Sequence, residues 1–288
     1  MKVLQAFPVE AQFFLASHLH PTPGLNTVTR AVAINGPLAV ERLVRAFSEL
    51  SSQHPILRTH FRAEEGTIVR ITEDHLADIP FDVHDAPGTD AALADAAERV
   101  RRALSPESMP WKSLLLRHGP DSHTFVFSAH RCVWDETSTE FLSAEISRLY
   151  SNTSPHSSGN SSLNPDWFVR ASDADGARIL ARALGDTPVL HGFPIISSRP
   201  KSFVPSAESI LATLDRATQT VLRETALTLG LDPFVLQATG TAYVLAAYCG
   251  QRKLAVGMPF SLRSTDTGRL LLGSHTATLP LAFAAEAS

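Results

Sequence analysis

From residue 27 to 35 (TVTRAVAIN) apolar and polar side chains alternate with the two-residue period of a half-buried strand. Gly36-Pro37 ends that period, and in LAVERLVRAFSEL, residues 38–50, apolar positions recur at the spacing of an amphipathic helix. LRTHF and TIVRITED predict short strands, and WKSLLLRH and HTFVFSAH, parted by Gly119-Pro120-Asp121-Ser122, predict a hairpin. DAALADAAERVRRAL, from Asp90 to Leu104, is alanine-rich and carries its arginines late, where a helix macrodipole favours cations. A second long helix is predicted from Ser138 to Tyr150. Strands interleaved with helices point to a sheet covered by helices rather than a bundle or a sandwich.

Residues 151–165 (SNTSPHSSGNSSLNP) are almost all small, polar or turn-forming, too poor in apolar surface to offset the entropy of ordering them. They are expected to be a flexible linker between a first lobe, 1–150, and a second, 166–288. Beyond them ATQTVLRETALTLGL and DPFVLQATGTAYVLAAYCG predict two helices, and KLAVGMPF and HTATLPLAF two apolar strands. No repeat of solenoid period is visible.

Composition narrows the class. The chain has 288 residues, 44% of them hydrophobic, enough to bury one large core or two lobes. Two cysteines cannot form a disulfide scaffold, and a formal charge of −4 with mixed signs gives no electrostatic reason to expect nucleic acid. No run of eighteen apolar residues exists, and MKVLQAFPVEAQFF lacks the pattern of a secretory leader, so neither secretion nor a membrane is expected and a cytoplasmic location is. Among twelve histidines His18 and His20 are the closest pair, yet no carboxylate or cysteine completes a ligand spacing, and no metal is expected. There is no nucleophile elbow, phosphate loop or dinucleotide fingerprint.

Four segments, read in order, carry more specific information. PVEAQFFLAS at 8–17 keeps Gln12 and a following aromatic. The segment from Gly36 to Phe61 ends in His54, Leu57, Arg58, Thr59 and Phe61. HRCVWDETSTEFLSAEISRLY runs from His130 to Tyr150, and VGMPFSLR (256–263) is followed by LGSHTATLPLAF (272–283). Together they resemble the condensation-domain superfamily of nonribosomal peptide synthetases. The third resembles its active-site motif of two histidines, three residues, aspartate and glycine. With His130 as the first histidine, Asp135 falls on the aspartate and Ser138, Glu145 and Tyr150 fall at their offsets. The second, catalytic histidine then becomes Arg131, and the glycine Glu136. Sliding the register by one puts Trp134 on the aspartate and spoils everything downstream.

The resemblance implies an α/β (α+β) fold, a two-lobed chloramphenicol-acetyltransferase-like sandwich of mixed sheet and flanking helices, with the second lobe incomplete. It implies a channel lined by Gly273 and Thr278, in which two carrier-bound thioesters meet, and an aspartate that holds its loop by pairing with an arginine, for which Arg58 and Arg131 are the candidates. His130, Arg131, Asp135 and Ser138 are thus the candidate catalytic set, and Arg58, Trp134 and Glu136 belong to its framework. First-position histidines in the family are mostly packed and hydrogen-bonded. Trp134 either plugs the channel or packs in the core, and Arg99, Arg101 and Arg102 either meet a partner or form a solvated helix face.

Imidazole, with a pKa near ~6.5, can accept a proton at neutral pH, whereas a guanidinium, pKa above ~12, has no acceptor. Arg131 therefore cannot replace the base, though it could steady a developing oxyanion or pair with Asp135. The pattern HRxxxDE is similar to that of X-type members of the superfamily, which recruit oxygenases instead of forming peptide bonds. Expected partners are accordingly a peptidyl or acyl carrier protein or synthetase module, or a tailoring oxygenase, with self-association left open. No cofactor is expected to bind directly, only the phosphopantetheine arm of a partner carrier. An open tunnel to His130 with Arg131 turned away would favour catalysis. A tunnel filled by Trp134 or by an Arg131–Asp135 pair would favour a docking platform. Glutamate in place of the glycine, which tolerates positive φ, is expected to remodel the turn after Asp135.

Overall fold

The computed structural model describes residues 1–86, 88, 90–152, 174–188, 192–194, 210–263 and 271–284. By packing the chain divides into two units, Met1–Phe168 with Ser261–Ala277, and Val169–Phe260 with Thr278–Ser288. Of the expected linker only Ser151 and Asn152 are described, ending a helix with Asn152 in the left-handed region at φ 52°.

In chain order the first unit holds β1 (Lys2–Gln5), α1 (Pro8–Leu19), β2 (Thr27–Asn35), α2 (Val40–Gln53), β3 (Thr59–Glu64), β4 (Thr67–Thr72), β5 (Phe81–Asp85), α3 (Asp90–Arg102), β6 (Trp111–Gly119), β7 (Ser122–His130) and α4 (Glu136–Ser151). One sheet has the order β2-β7-β6-β5, the other β1-β4-β3. β6 and β7 form the expected hairpin, and β2 pairs antiparallel with β7 along its whole length. β5 runs parallel to β6, and a parallel pair needs a crossover, which α3 supplies.

Side-chain alternation along β7 then builds two cores. Phe127 and Ala129 point to a large cluster with Phe47 and Leu50 of α2, Leu142 of α4, Trp111, Leu115 and Trp134. Val126, with Leu114 and Leu116, meets Ala96 and Val100 of α3 on the other face. Burying each large aromatic contributes about 2–3 kcal/mol, so this cluster, which touches both flanking helices and the strand leading to His130, fixes where that residue stands.

The second unit contains α5 (Ala174–Leu184), α6 (Arg216–Leu229), α7 (Pro233–Cys249) and most of β8 (Lys253–Ser261) and β9 (Thr276–Ala284), which pair with each other. The local sequence explains the helix ends. Asp215 and Asp232 accept backbone N–H bonds from Thr218 and Phe234 at the starts of α6 and α7, and Gly230 and Gly250 end them with φ of 66° and 61°.

Candidate functional site

β7 delivers His130, and the chain then turns through Arg131–Asp135 into α4. His130 N donates to Pro110 O at 2.6 Å, Arg131 N to Asn26 O and Val133 N to His130 O, so backbone bonds fix the turn before any side chain contributes. Cys132, Val133 and Trp134 are fully buried. Trp134 stacks at a tilt on Phe127, ring centres 4.8 Å apart, and its Nε1 donates to Thr139 Oγ1. Of the two expectations for Trp134, core packing is the one found.

His130 is buried, and its ring is fully engaged. Nδ1 accepts from the Cys132 amide at 3.2 Å, which places the proton on Nε2, 2.8 Å from Ser17 Oγ. Ser17 donates to Phe13 O and accepts from Asn26 Nδ2, so with His130 its one proton and two lone pairs are all used. Burial, followed by the neighbouring Arg131 charge, lowers the imidazole to about 4. His130 also lines a pocket of about 190 Å³ whose walls include Ser17, Gly24, Asn26, Arg102 and Pro106.

Arg131 turns to Glu136, Nη2 to Oε1 2.6 Å, with its guanidinium 5.8 Å from the ring centre of Phe13. The two departures from the family motif thus pair with each other. The remodelling expected at Glu136 is not found, since it opens α4 with helical backbone and no positive φ.

Asp135 takes a different partner from either expected one. Arg263 donates to both of its oxygens, at 2.6 and 2.9 Å, and neither Arg58 nor Arg131 reaches it. Ser138 N and Oγ donate to Oδ1, and His275 N and Thr276 Oγ1 to Oδ2. Burial alone would raise this carboxyl, but the Arg263 bonds and charge, with the two from Ser138, outweigh it and hold it below the ordinary carboxylate value. Ser138 Oγ also lies 2.9 Å from Gly273 O and accepts from Gly273 N, while Arg263 reaches Leu271 O and Gly273 O. The result is a clasp between the α4 N-terminus and the segment 271–276, which explains why 261–277 belongs with the first unit although the sequence placed it in the second lobe.

The remaining motif residues secure element ends. Arg58 donates to Glu73 O just after β4 and to Ser51 O and Ser52 O at the end of α2. Tyr150 Oη accepts from Ala39 N at its start. Arg99, Arg101 and Arg102 pair within α3 with Asp95 and Glu98. Gly273, with φ +147°, lies in the clasp, where a Cβ would come within 2.6 Å of His275 Nε2. Thr278 belongs to the second unit, on β9 beside Gly257. Sequence reasoning missed Arg263, His275, Ser17 and Asn26. Arg263, His275 and Ser17 lie inside quoted motif segments, while Asn26 carries no pattern of its own.

With this geometry in place, comparison with known proteins gives a consistent result. Residues 7–288 match the Condensation domain family. An isonitrile lipopeptide synthase of Mycobacterium tuberculosis is 26% identical over 96% of the chain and 12% of its own length. Cyclosporin synthetase of Tolypocladium inflatum is 33% identical over 43% of the chain and 1% of its own. The chain therefore spans only a small part of these relatives. Among solved structures the X-domain from teicoplanin biosynthesis matches with a TM-score of 0.81 at 20% identity, covering 97% of the chain and 65% of that domain. The condensation domain of the monacolin K polyketide synthase MokA gives 0.77 at 17%, covering 100% and 69%. Among the described residues no helix is long and apolar enough to cross a membrane. The motif turn, the arginine clasp beneath it and a match across nearly the whole sequence together place this chain in the condensation-domain family of nonribosomal peptide synthetases.

Proposed function

We propose that the chain serves nonribosomal peptide biosynthesis in the cytoplasm as a condensation-family domain that no longer forms peptide bonds and instead docks a carrier protein or a tailoring enzyme such as an oxygenase. The observation that carries this reading is Arg131, a permanent cation paired with Glu136 where the family's motif has its proton-accepting histidine. His130 does not take over as base, because Nδ1 is spent on the Cys132 amide and Nε2 bears the proton. Asp135 and Ser138 are committed to the clasp. Among His130, Arg131, Asp135 and Ser138 no group is left to deprotonate an amine. One solved relative, similar in fold, is an X-domain in complex with OxyB from teicoplanin biosynthesis, which supports an oxygenase as one kind of partner. Any phosphopantetheine arm would arrive on the carrier rather than reside here.

A second reading keeps the domain active as an acyltransferase that joins carrier-bound acyl or aminoacyl thioesters by holding them together, since positioning alone supplies several kcal/mol. It is favoured by the pocket that reaches His130 while Arg131 turns away from it. Titration of the chain with loaded carrier proteins and with oxygenases, beside an amide-formation assay on the same carriers, separates the two. Saturable binding with no amide product in either the parent or Arg131→Ala supports docking. Amide formation that is lost when Gly24 is replaced by a bulky residue to block the pocket overturns it.

A further inference from the structure

α7 has 17 residues and no charge among them, the composition of a helix that is covered on all sides. Yet only Ala242 and Ala246 are buried, one turn apart on a single face. On the opposite face Gln237, Val244 and Tyr248 follow one another at helical spacing, with Ala247 between the last two and Tyr243 at the flank, and all are exposed. The exposure is 65% for Tyr243, 52% for Val244 and 67% for Tyr248. Phe193, 47% exposed, stacks on Tyr248 with ring centres 6.3 Å apart and widens the face. An aromatic side chain carries roughly 150–250 Å², so these three rings present about 350 Å² to water. Val244, Ala247 and the half-exposed Phe234 at the helix start bring the face to about 500 Å², a patch size that marks an interaction site. It is also the greater part of the ~800 Å² that each partner of a standard interface buries. The chemistry of the face selects its occupant. A partner recognised through ion pairs finds no counterpart on α7, whereas a second copy brings the same uncharged apolar stripe. About a two-fold axis residue i meets j and j meets i, and a helix without charges forces no like pair together. Gln237, Val244 and Tyr248 also have the spacing with which helices pack side by side.

We propose that two copies of this chain associate through α7, stripe against stripe about a two-fold axis, with Tyr243, Val244, Tyr248 and Phe193 buried at their common face. The proposal is independent of what happens at His130. It is tested by equilibrium sedimentation of the whole chain from about 1 to 100 µM, reaching from the weak end of standard-size interfaces upward. The expected result is a reversible monomer–dimer equilibrium. Val244→Glu and Gln237→Glu each set carboxylates of the two copies against one another and should raise the dissociation constant at least about tenfold. Val32→Glu, which charges a comparably exposed valine of the first unit, should leave it unchanged. Glutamate is a good helix former and both α7 positions are exposed, so far-UV circular dichroism should match the parent's. Gln237→Glu alters one amide to a carboxylate of the same size, and it decides the matter even where Val244→Glu does not fold. A chain that stays monomeric at about 100 µM overturns the proposal and leaves the face to a different protein. So does a dimer that either folded α7 variant leaves unchanged, or that Val32→Glu weakens as much, since another surface would then join the copies. Growth beyond the dimer overturns it as well, because a two-fold contact closes on itself.

Discussion

His130 illustrates how much one buried ring can record about its surroundings. In the unfolded chain its pKa is near ~6.5, and in the fold burial and the Arg131 charge lower it to about 4. Between those values the unfolded state binds a proton that the folded state refuses, so stability falls as pH falls through this window. His275, also lowered to about 4, acts in the same direction, while Glu10, raised to about 7 chiefly by burial against the pull of Arg70, acts in the opposite one. The informative quantity is therefore the difference between parent and variant. Denaturation of His130→Gln at pH 7 and pH 5 should show a loss of stability between them that is about 2 kcal/mol smaller than the parent's. Equal losses would mean that the ring takes up its proton in the fold as readily as in the unfolded chain, and the burial and Arg131 charge said to keep it neutral would have no effect. At this scale the sequence was informative about identity and silent about partners. That Arg131 replaces a histidine is readable from the motif, but that Asp135 pairs with Arg263, 128 positions away, follows from no local spacing.

Elements with a strong period were legible and those without were not. β2, α2, α4 and the β6–β7 hairpin lie where alternation, helical spacing and Gly-Pro punctuation put them. β1 is four residues long and β5 only five, half of them polar, too short for a two-residue period to stand out, and β5 is defined by its parallel neighbour rather than by its own sequence. The clasp is also an element-scale feature, since it ties the first turn of α4 to 271–276 through backbone groups that a sequence motif does not display. Gly273 makes this testable. A methyl there meets the His275 ring and a backbone angle that L residues avoid, so Gly273→Ala should cost about 1–3 kcal/mol in chemical denaturation. Gly240, within α7 and with open space around its missing Cβ, should behave oppositely, Gly240→Ala adding about 0.5–1 kcal/mol through helix propensity. A neutral Gly273→Ala would mean that 271–276 is not held as tightly as its hydrogen bonds imply.

Across the whole molecule, sequence order and packing order disagree. Asp135 belongs to the N-terminal lobe as the sequence divides it, yet its countercharge comes from Ser261–Ala277, so the first unit is completed only after the chain has passed through the second. A fragment of residues 1–152 contains β1–β7 and every residue of both cores named above but leaves Asp135 without Arg263, His275 and Thr276. This predicts a reversal of sign for one substitution. In the whole chain Asp135→Asn strands the buried Arg263 guanidinium and should cost about 3–5 kcal/mol. In the fragment no arginine is stranded, and asparagine caps α4 as well as aspartate does, so the same change should be neutral or stabilising. Paired denaturation curves of the four proteins measure the difference directly. A near-neutral effect in both backgrounds would show that Asp135 acts only as a helix cap, and the assignment of 261–277 to the first unit would lose its energetic basis.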